Sequence, residues 1–205
     1  MPPSTANPSA RQTELLEAAY QYALVHGLAG LSLRPLADAI GSSTRVLMFL
    51  FGNKDGLVRA LLQRARTEEV ALLGRLSSPT NPLGLTTAGR ELWAWLAADE
   101  HRPLLRLWAE AYARSLVDPE GPWTGFARST VEDWLGVLGD CQPETERADG
   151  NGVLQRTLVL AVLRGALLDL LATGDETRVS SAVHHQLTLM HSPAAADAPS
   201  PGTGS

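Results

Sequence analysis

Residues 32–54, SLRPLADAIGSSTRVLMFLFGNK, constrain the fold of this chain more than any other stretch. They predict two short helices separated by a tight turn, followed at once by the start of a third. Ser32 stands where its hydroxyl can accept from a free N–H in the first turn. Pro35 falls inside that turn, where a missing N–H costs little. Leu33, Leu36, Ala37 and Ile40 recur at spacings of three, four and seven, the signature of one helix face. Gly41 tolerates the positive φ that ends a helix, and Ser42-Ser43 offers a cap for the next. Leu47, Leu50 and Phe51 supply the inward side of that second helix. Helix, short Gly-containing turn, helix is the pattern of a helix-turn-helix unit, whose second helix enters the DNA major groove.

The rest of the sequence sets the frame around this unit. A chain of 205 residues fits one or two small domains. Leu and Ala dominate while aromatics reach only 5%, which favours an all-α protein. The single cysteine, Cys141, excludes an internal disulfide framework and any CxxC motif. The sequence opens with no basic start and apolar run, and its longest apolar stretch, 158–171, is interrupted by Arg164 and Asp169. These features predict a soluble cytoplasmic protein without a membrane partner. The net charge of −5 argues at first against nucleic acid, but it is unevenly spread. Residues 1–77 hold eight basic against six acidic residues, a net of +2, whereas residues 78–205 hold nine against sixteen, a net of −7. The sign of that asymmetry suits a DNA-contacting end joined to an acidic body.

Taken in order, residues 1–9 are polar and Pro-rich and read as a disordered arm. Residues 11–26 predict an amphipathic helix with Leu15, Leu16, Ala19, Tyr22 and Ala23 on one side and Gly27 closing it. The long fourth helix, 54–76, is capped by Asn53, with Leu57, Leu61, Leu62, Ala65, Val70, Leu73 and Leu76 facing inward. Residues 77–89 are rich in Ser, Pro, Gly and Thr and mark a boundary. Helices are expected near 87–98, 102–117, 123–138, 152–172 and 176–190, and residues 192–205 read as a disordered tail. Residues 10–53 thus form the helix-turn-helix domain and 54–191 the helical body.

The residues of the opening stretch resemble the DNA-binding unit of the tetracycline-repressor (TetR) family of bacterial regulators. Gly27, Ser32, Leu36, Ala37, Gly41, Ser43, Leu47, Phe51, Lys54 and Leu57 carry the match without a gap. The resemblance implies that Thr44 and Arg45 face base edges, where Arg45 can pair bidentately with a guanine. It implies that Lys54, the only lysine in the chain, meets a phosphate beside the fourth-helix N-terminus. Ser32, Arg34 and Ser43 complete the expected contacts. The sequence departs from the family pattern at Ser42, Met48, Phe49 and Leu50. Met48 replaces a tyrosine whose hydroxyl bonds phosphate, a loss of roughly 1 kcal/mol, and its thioether can instead touch a thymine methyl.

In the body, all five tryptophans, at 93, 95, 108, 123 and 134, lie within 42 residues. Such a cluster either walls an apolar cavity or simply fills a core. On the first reading Trp93, Trp108, Tyr112, Trp123, Phe126 and Trp134 line a site for a small, largely apolar effector. Arg106, Glu110 or Asp133 would be its polar anchor. Residues 152–172 are apolar nearly all round and must be covered on more than one side. A second protomer is the economical cover, an intramolecular core the alternative. The run 164–175 also resembles the penultimate helix of the same family, where two helices from each protomer make a four-helix dimer interface. Leu160, Leu163, Arg164, Leu167, Leu168, Leu171, Val183 and Leu187 are the expected contacts. His184 and His185 point about 100° apart with no carboxylate at ligand spacing, so no metal or cofactor is expected. No GxSxG elbow, phosphate-cradling Gly loop or HExxH motif occurs, and nothing in the sequence argues for an enzyme. The resemblance implies a ligand-responsive transcriptional regulator, a repressor acting as a homodimer on a palindromic operator. The alternative is a helical ligand-binding or adaptor protein of the same fold without specific DNA binding.

Overall fold

Glycines of positive φ stand at many of the helix ends in the computed structural model of the protein, which describes residues 10–74, 82–118 and 120–191. The expected arm 1–9, tail 192–205, Leu76 and residues 77–81 of the boundary segment lie outside the described residues. Among the described residues the chain is all-α. Helix α1 spans Ala10–His26, α2 Leu33–Ala39, α3 Thr44–Phe51 and α4 Lys54–Leu73. The body contains α5 (Leu85–Ala97), α6 (Arg102–Val117), α7 (Phe126–Asp140), α8 (Glu144–Arg147), α9 (Gly150–Thr173) and α10 (Glu176–His191). A 3₁₀ turn, Asp99–His101, leads into α6. Most boundaries lie within two residues of expectation, but α7 begins three residues late. Residues 121–125 are turns that end at Gly125, φ +75°, and Trp123 packs from those turns.

Helix α4 joins the two halves. It packs on α1 and α3 at one end and on α6 and α7 at the other, while α5, α9 and α10 form a separate three-helix layer beside α7. Buried side chains run without a break from Ala19 and Leu36 through Leu57 and Leu61 to Trp134, Leu163 and Leu187. Full burial of each such Leu contributes roughly 1.5–3 kcal/mol. Polar ties reinforce the joint. Arg64 on α4 donates to Glu17 on α1 at 2.8 Å and to Glu68 at 2.8 Å. Tyr20, rather than the expected Tyr22, is the fully buried tyrosine of α1, and its hydroxyl donates to Glu68 at 3.1 Å.

One expectation for α4 fails in an informative way. Val70 is 45% exposed, and the inward place belongs to Glu69, 7% exposed. Leu62, Ala65, Glu69 and Leu73 follow one another at spacings of three, four and four, so the helix turns Glu69 inward and Val70 outward.

Candidate functional site

The first candidate surface is the outer face of α3. Ser43 caps the helix, its Oγ accepting from Val46 N–H at 3.3 Å. Leu47, 1% exposed, anchors the inner face, and Gln12 donates to the Leu50 carbonyl at 3.0 Å to fix the far end on α1. Outward lie half-buried Thr44, exposed Arg45, Met48 at 50% and Phe49 at 86% exposure. Lys54 is exposed at the start of α4, whose first turn is held by Asn53 Oδ1 accepting from Gly56 N–H at 2.7 Å. Arg34 is exposed near the start of α2. Among the described residues no carboxylate pairs with Arg34, Arg45 or Lys54, so their charges face solvent uncompensated.

Ser32 corrects the expected cap. It holds the N-cap position with extended φ −121° and ψ 133°, yet its hydroxyl makes no cap bond. A cap accepts from the N–H of the second or third helical residue, and the third here is Pro35, which has none. The hydroxyl is therefore exposed and free of that duty.

The second candidate is a cavity in the body, about 30 Å³ in volume, which has room for a water molecule or two. Its walls are Trp95 and Leu96 from α5, Leu104, Leu105 and Trp108 from α6, and Phe126 and Trp134 from α7. Leu160, Leu163, Arg164 and Leu167 of α9 and Ala65 and Glu69 of α4 complete it. Trp108, Phe126 and Trp134, expected to line an effector site, are among these walls. Tyr112 sits just behind, stacked on Trp108 with centroids 4.9 Å apart. The other expected lining residues do not reach the cavity. Trp93 is spent on α10, donating to Ser180 Oγ at 2.9 Å. Trp123 is buried in the 121–125 turns, and Arg106 points to solvent. Glu110 reaches α1 instead, accepting from Leu28 N–H at 2.9 Å, and Asp133 is bound bidentately by Arg66 at 2.8 and 2.9 Å.

Glu69 and Arg164 are the charged residues among the walls of an otherwise apolar cavity, and sequence reasoning missed the first. Glu69 accepts from the indole N–H of Trp134. Burial pushes its pKa up to about 7, with the nearby Asp133 charge adding to the shift against the opposing Trp134 hydrogen bond. Position 69 sits at helical spacing within an otherwise apolar stripe, a signal that could have found it. Arg164 is half-buried, donates to the Tyr112 hydroxyl at 3.1 Å and lies 4.9 Å from the centre of that ring. Arg164, expected as a dimer contact, lines the cavity within the protomer.

The remaining dimer expectations divide in the same way. Leu160, Leu163, Leu167, Val183 and Leu187 are 5% exposed or less within the single chain, because they pack α9 and α10 on their own protomer. Leu171 is half-buried, and only Leu168, at 50%, lies outward. The outward stripe of α9 is instead Leu154, Leu158, Ala161, Gly165, Leu168 and Ala172, all exposed and spaced alternately by four and three. That alternation is the seam pattern of paired helices. Ala182, His185 and Leu189 are likewise exposed on α10. Among the described residues no group of three or more His, Cys, Asp or Glu could hold a metal, and no helix is long and apolar enough to cross a membrane.

No family model matches the chain. Among curated proteins, one component of the formyltransferase/hydrolase complex Fhc of Methylorubrum extorquens is 32% identical over 136 residues, 66% of this chain. The match spans only 22% of that protein's length and assigns no activity here. Solved structures match nearly end to end. A TetR transcription regulator from Haloarcula marismortui superimposes with a TM-score of 0.70 at 17% identity, over 89% of this chain and 96% of that one. A TetR transcriptional regulator from Legionella pneumophila gives 0.69 at 19% identity, over 89% and 98%. The multidrug binding protein EbrR, solved in complex with proflavin, gives 0.63 at 26% identity, over 88% and 99%. The fold is that of the TetR family of transcriptional regulators.

Proposed function

We propose that this protein is a DNA-binding transcriptional regulator, a homodimeric repressor whose hold on its operator is released when a small, largely apolar effector enters the body cavity. Residues 10–53 form the DNA-contacting domain and 54–191 the effector-binding and dimerising body. The observation that carries this reading is the outer face of α3. A capped helix with one buried anchor presents Arg45 unpaired, on a fold shared with regulators. Arg45 reads a base edge, Lys54 and Arg34 hold phosphates, and Ser32, Ser43, Thr44 and Met48 complete the contact. The outward α9–α10 stripe joins two protomers, setting two recognition helices on half-sites roughly 34 Å apart.

The small cavity supports the switching step. Effector sites occupy about 300–1,000 Å³, so an effector has to part the helices around the cavity, α4 from α6 and α7 among them. The other end of α4 packs on α1 and α3, which makes the recognition helix follow. The Glu110 bond to Leu28 gives α6 a second grip on the same domain. EbrR's complexes with proflavin and imidazole favour a small-molecule role for such a body.

Gel-shift titration on DNA from upstream of the protein's own reading frame tests the reading. Arg45→Ala costs about 1–3 kcal/mol of binding per half-site and relaxes base preference, whereas Lys54→Ala weakens all sequences alike and lowers the salt slope by about one. Unchanged affinity in both variants overturns the assignment. The exposed Met48 and Phe49 favour one second reading, an adaptor docking through α3. Absence of any salt-dependent DNA binding would select it.

A further inference from the structure

We propose that the body cavity takes a neutral, mainly apolar molecule with one hydrogen-bond acceptor, a ketone or ester oxygen, which accepts from the indole N–H of Trp108. The inference rests on the effector reading above and names the chemical class of that effector.

Trp108 is the reason. Three buried side-chain atoms lack a hydrogen-bond partner among the described residues, and all three lie on α6. Two of them belong to groups that are bonded through another atom. Arg102 holds Asp99 at 3.0 Å, and Glu110 accepts from Leu28 N–H at 2.9 Å through its second carboxylate oxygen. The third is Trp108 Nε1, and an indole has no other polar atom to bond through. Other buried indoles of the body reach an acceptor: Trp93 donates to Ser180 Oγ at 2.9 Å and Trp134 to Glu69. Trp108 is 8% exposed, so bulk water is no substitute for a partner. A buried donor without an acceptor destabilises the protein by the hydration it has given up. Phenylalanine would fill the same wall without that penalty. The indole N–H is thus a liability to the empty protomer, which a guest bringing an acceptor removes.

The walls decide the rest of the guest. Leu104, Leu105, Phe126, Leu160 and Leu163 line the same cavity as Trp108 and ask for an apolar body. The two charged wall residues are already engaged within the protomer, Glu69 by the Trp134 indole and Arg164 by the Tyr112 hydroxyl. A charged guest would surrender its hydration with no free counter-charge to meet it. A hydrocarbon would fill the space and leave the Trp108 donor stranded. A neutral acceptor avoids both penalties, and it can displace a cavity water while reproducing that water's hydrogen bond.

Methyl pentyl ketone and its alkene isostere, in which a methylidene group replaces the carbonyl, test the assignment on the full chain. Calorimetric titration of the parent and of Trp108→Phe with both compounds forms a cycle in which the different hydration of the two guests cancels. The ketone-to-alkene affinity ratio should be at least about fivefold higher in the parent than in the variant. Proton–nitrogen spectra of the isotope-labelled parent give a direct reading. The Trp108 indole resonance, assigned by its loss in Trp108→Phe or Trp108→Tyr, should move downfield with the ketone and much less with the alkene. Should the variants fold poorly, downfield movement of one indole resonance in the parent with the ketone alone supports the assignment, and movement of none overturns it. A ketone that binds without moving the Trp108 resonance, or a ratio equal in parent and variant, overturns the assignment and leaves an apolar effector site standing. Binding of neither compound overturns it together with the effector reading.

Discussion

Helices α3 and α9 carry the two surfaces on which the proposed function depends, and they expose apolar residues for opposite reasons. In α3 only Leu47 is fully buried, with Phe51 packed partly against the core, so Arg45, Met48 and Phe49 are left facing outward. In α9 the chain buries Val159, Leu160, Leu163, Leu167 and Leu170 against its own body and still has an apolar stripe left over. A short helix with one anchor has a single way to dock. A long helix apolar on all sides has two, and its periodicity counts the faces without saying which one meets which neighbour.

The sharpest way to break this comparison is to shorten one residue on each stripe of α9. Leu163→Ala opens a cavity in the protomer's interior and should cost about 2–5 kcal/mol, whatever the protein concentration. Leu158→Ala should leave the protomer within about 0.5 kcal/mol of the parent. It should instead weaken the dimer, so that monomer appears at concentrations where the parent is still dimeric and the melting temperature of the variant stops responding to dilution sooner. Thermal melts at several concentrations with sedimentation velocity separate the two. A Leu158→Ala dimer that dissociates at the same concentration as the parent's would mean that the outward stripe is not an interface.

The next effect concerns α4, which joins the two regions. The folded-state pKa of Glu69 is raised from an ordinary 4.5 to about 7. Between those values the folded chain holds a proton that the unfolded chain has lost, so stability falls as pH rises and levels off above 7. The window corresponds to about 3 kcal/mol as an upper bound. Glu69→Gln removes it: the variant should gain up to that amount at pH 8 and almost nothing near pH 4.5. Denaturant midpoints across pH 4.5–8 check the sign. A parent whose stability is flat over that range would show the carboxyl to be solvated.

Much of this molecule was legible in its sequence, and unevenly so between the two regions. Gly41, at φ +64°, and the Ser43 cap stand where their chemistry placed them, because turns and caps are decided by one or two residues. Leu47 was legible for a similar reason, since a short amphipathic helix has one apolar side. In the body, Trp108, Phe126 and Trp134 were found as a cluster, but Trp93 and Trp95 differ only in which way α5 faces. That is settled by Ser180, 87 residues away. Glu69 was hidden by a preference for apolar residues on an inward stripe, which gave its place to Val70. Arg164 is expected at a dimer interface from the resemblance of 164–175 to the family's penultimate helix, and within the protomer Tyr112 and Trp108 draw it inward.

The smallest effect is a pair of serines in the region that read most clearly. Ser32 and Ser43 both hold N-cap positions with extended backbone, and from sequence alone they are equivalent. The difference lies three residues on. Val46 offers its N–H to Ser43, whereas Pro35 has none to offer Ser32. Ser43→Ala should therefore cost about 1 kcal/mol of stability, the ordinary worth of a cap bond. Ser32→Ala should fall within about 0.5 kcal/mol of the parent, as a surface substitution does. If Ser32 contacts phosphate, its removal would instead appear in operator affinity while the melting temperature stays fixed. Stability and gel-shift measurements on the same two variants therefore differ in signature: Ser43→Ala loses stability as well as operator affinity, whereas Ser32→Ala loses affinity alone. Equal losses of stability would show that Ser32 caps α2 through the Arg34 N–H and is not available to a phosphate.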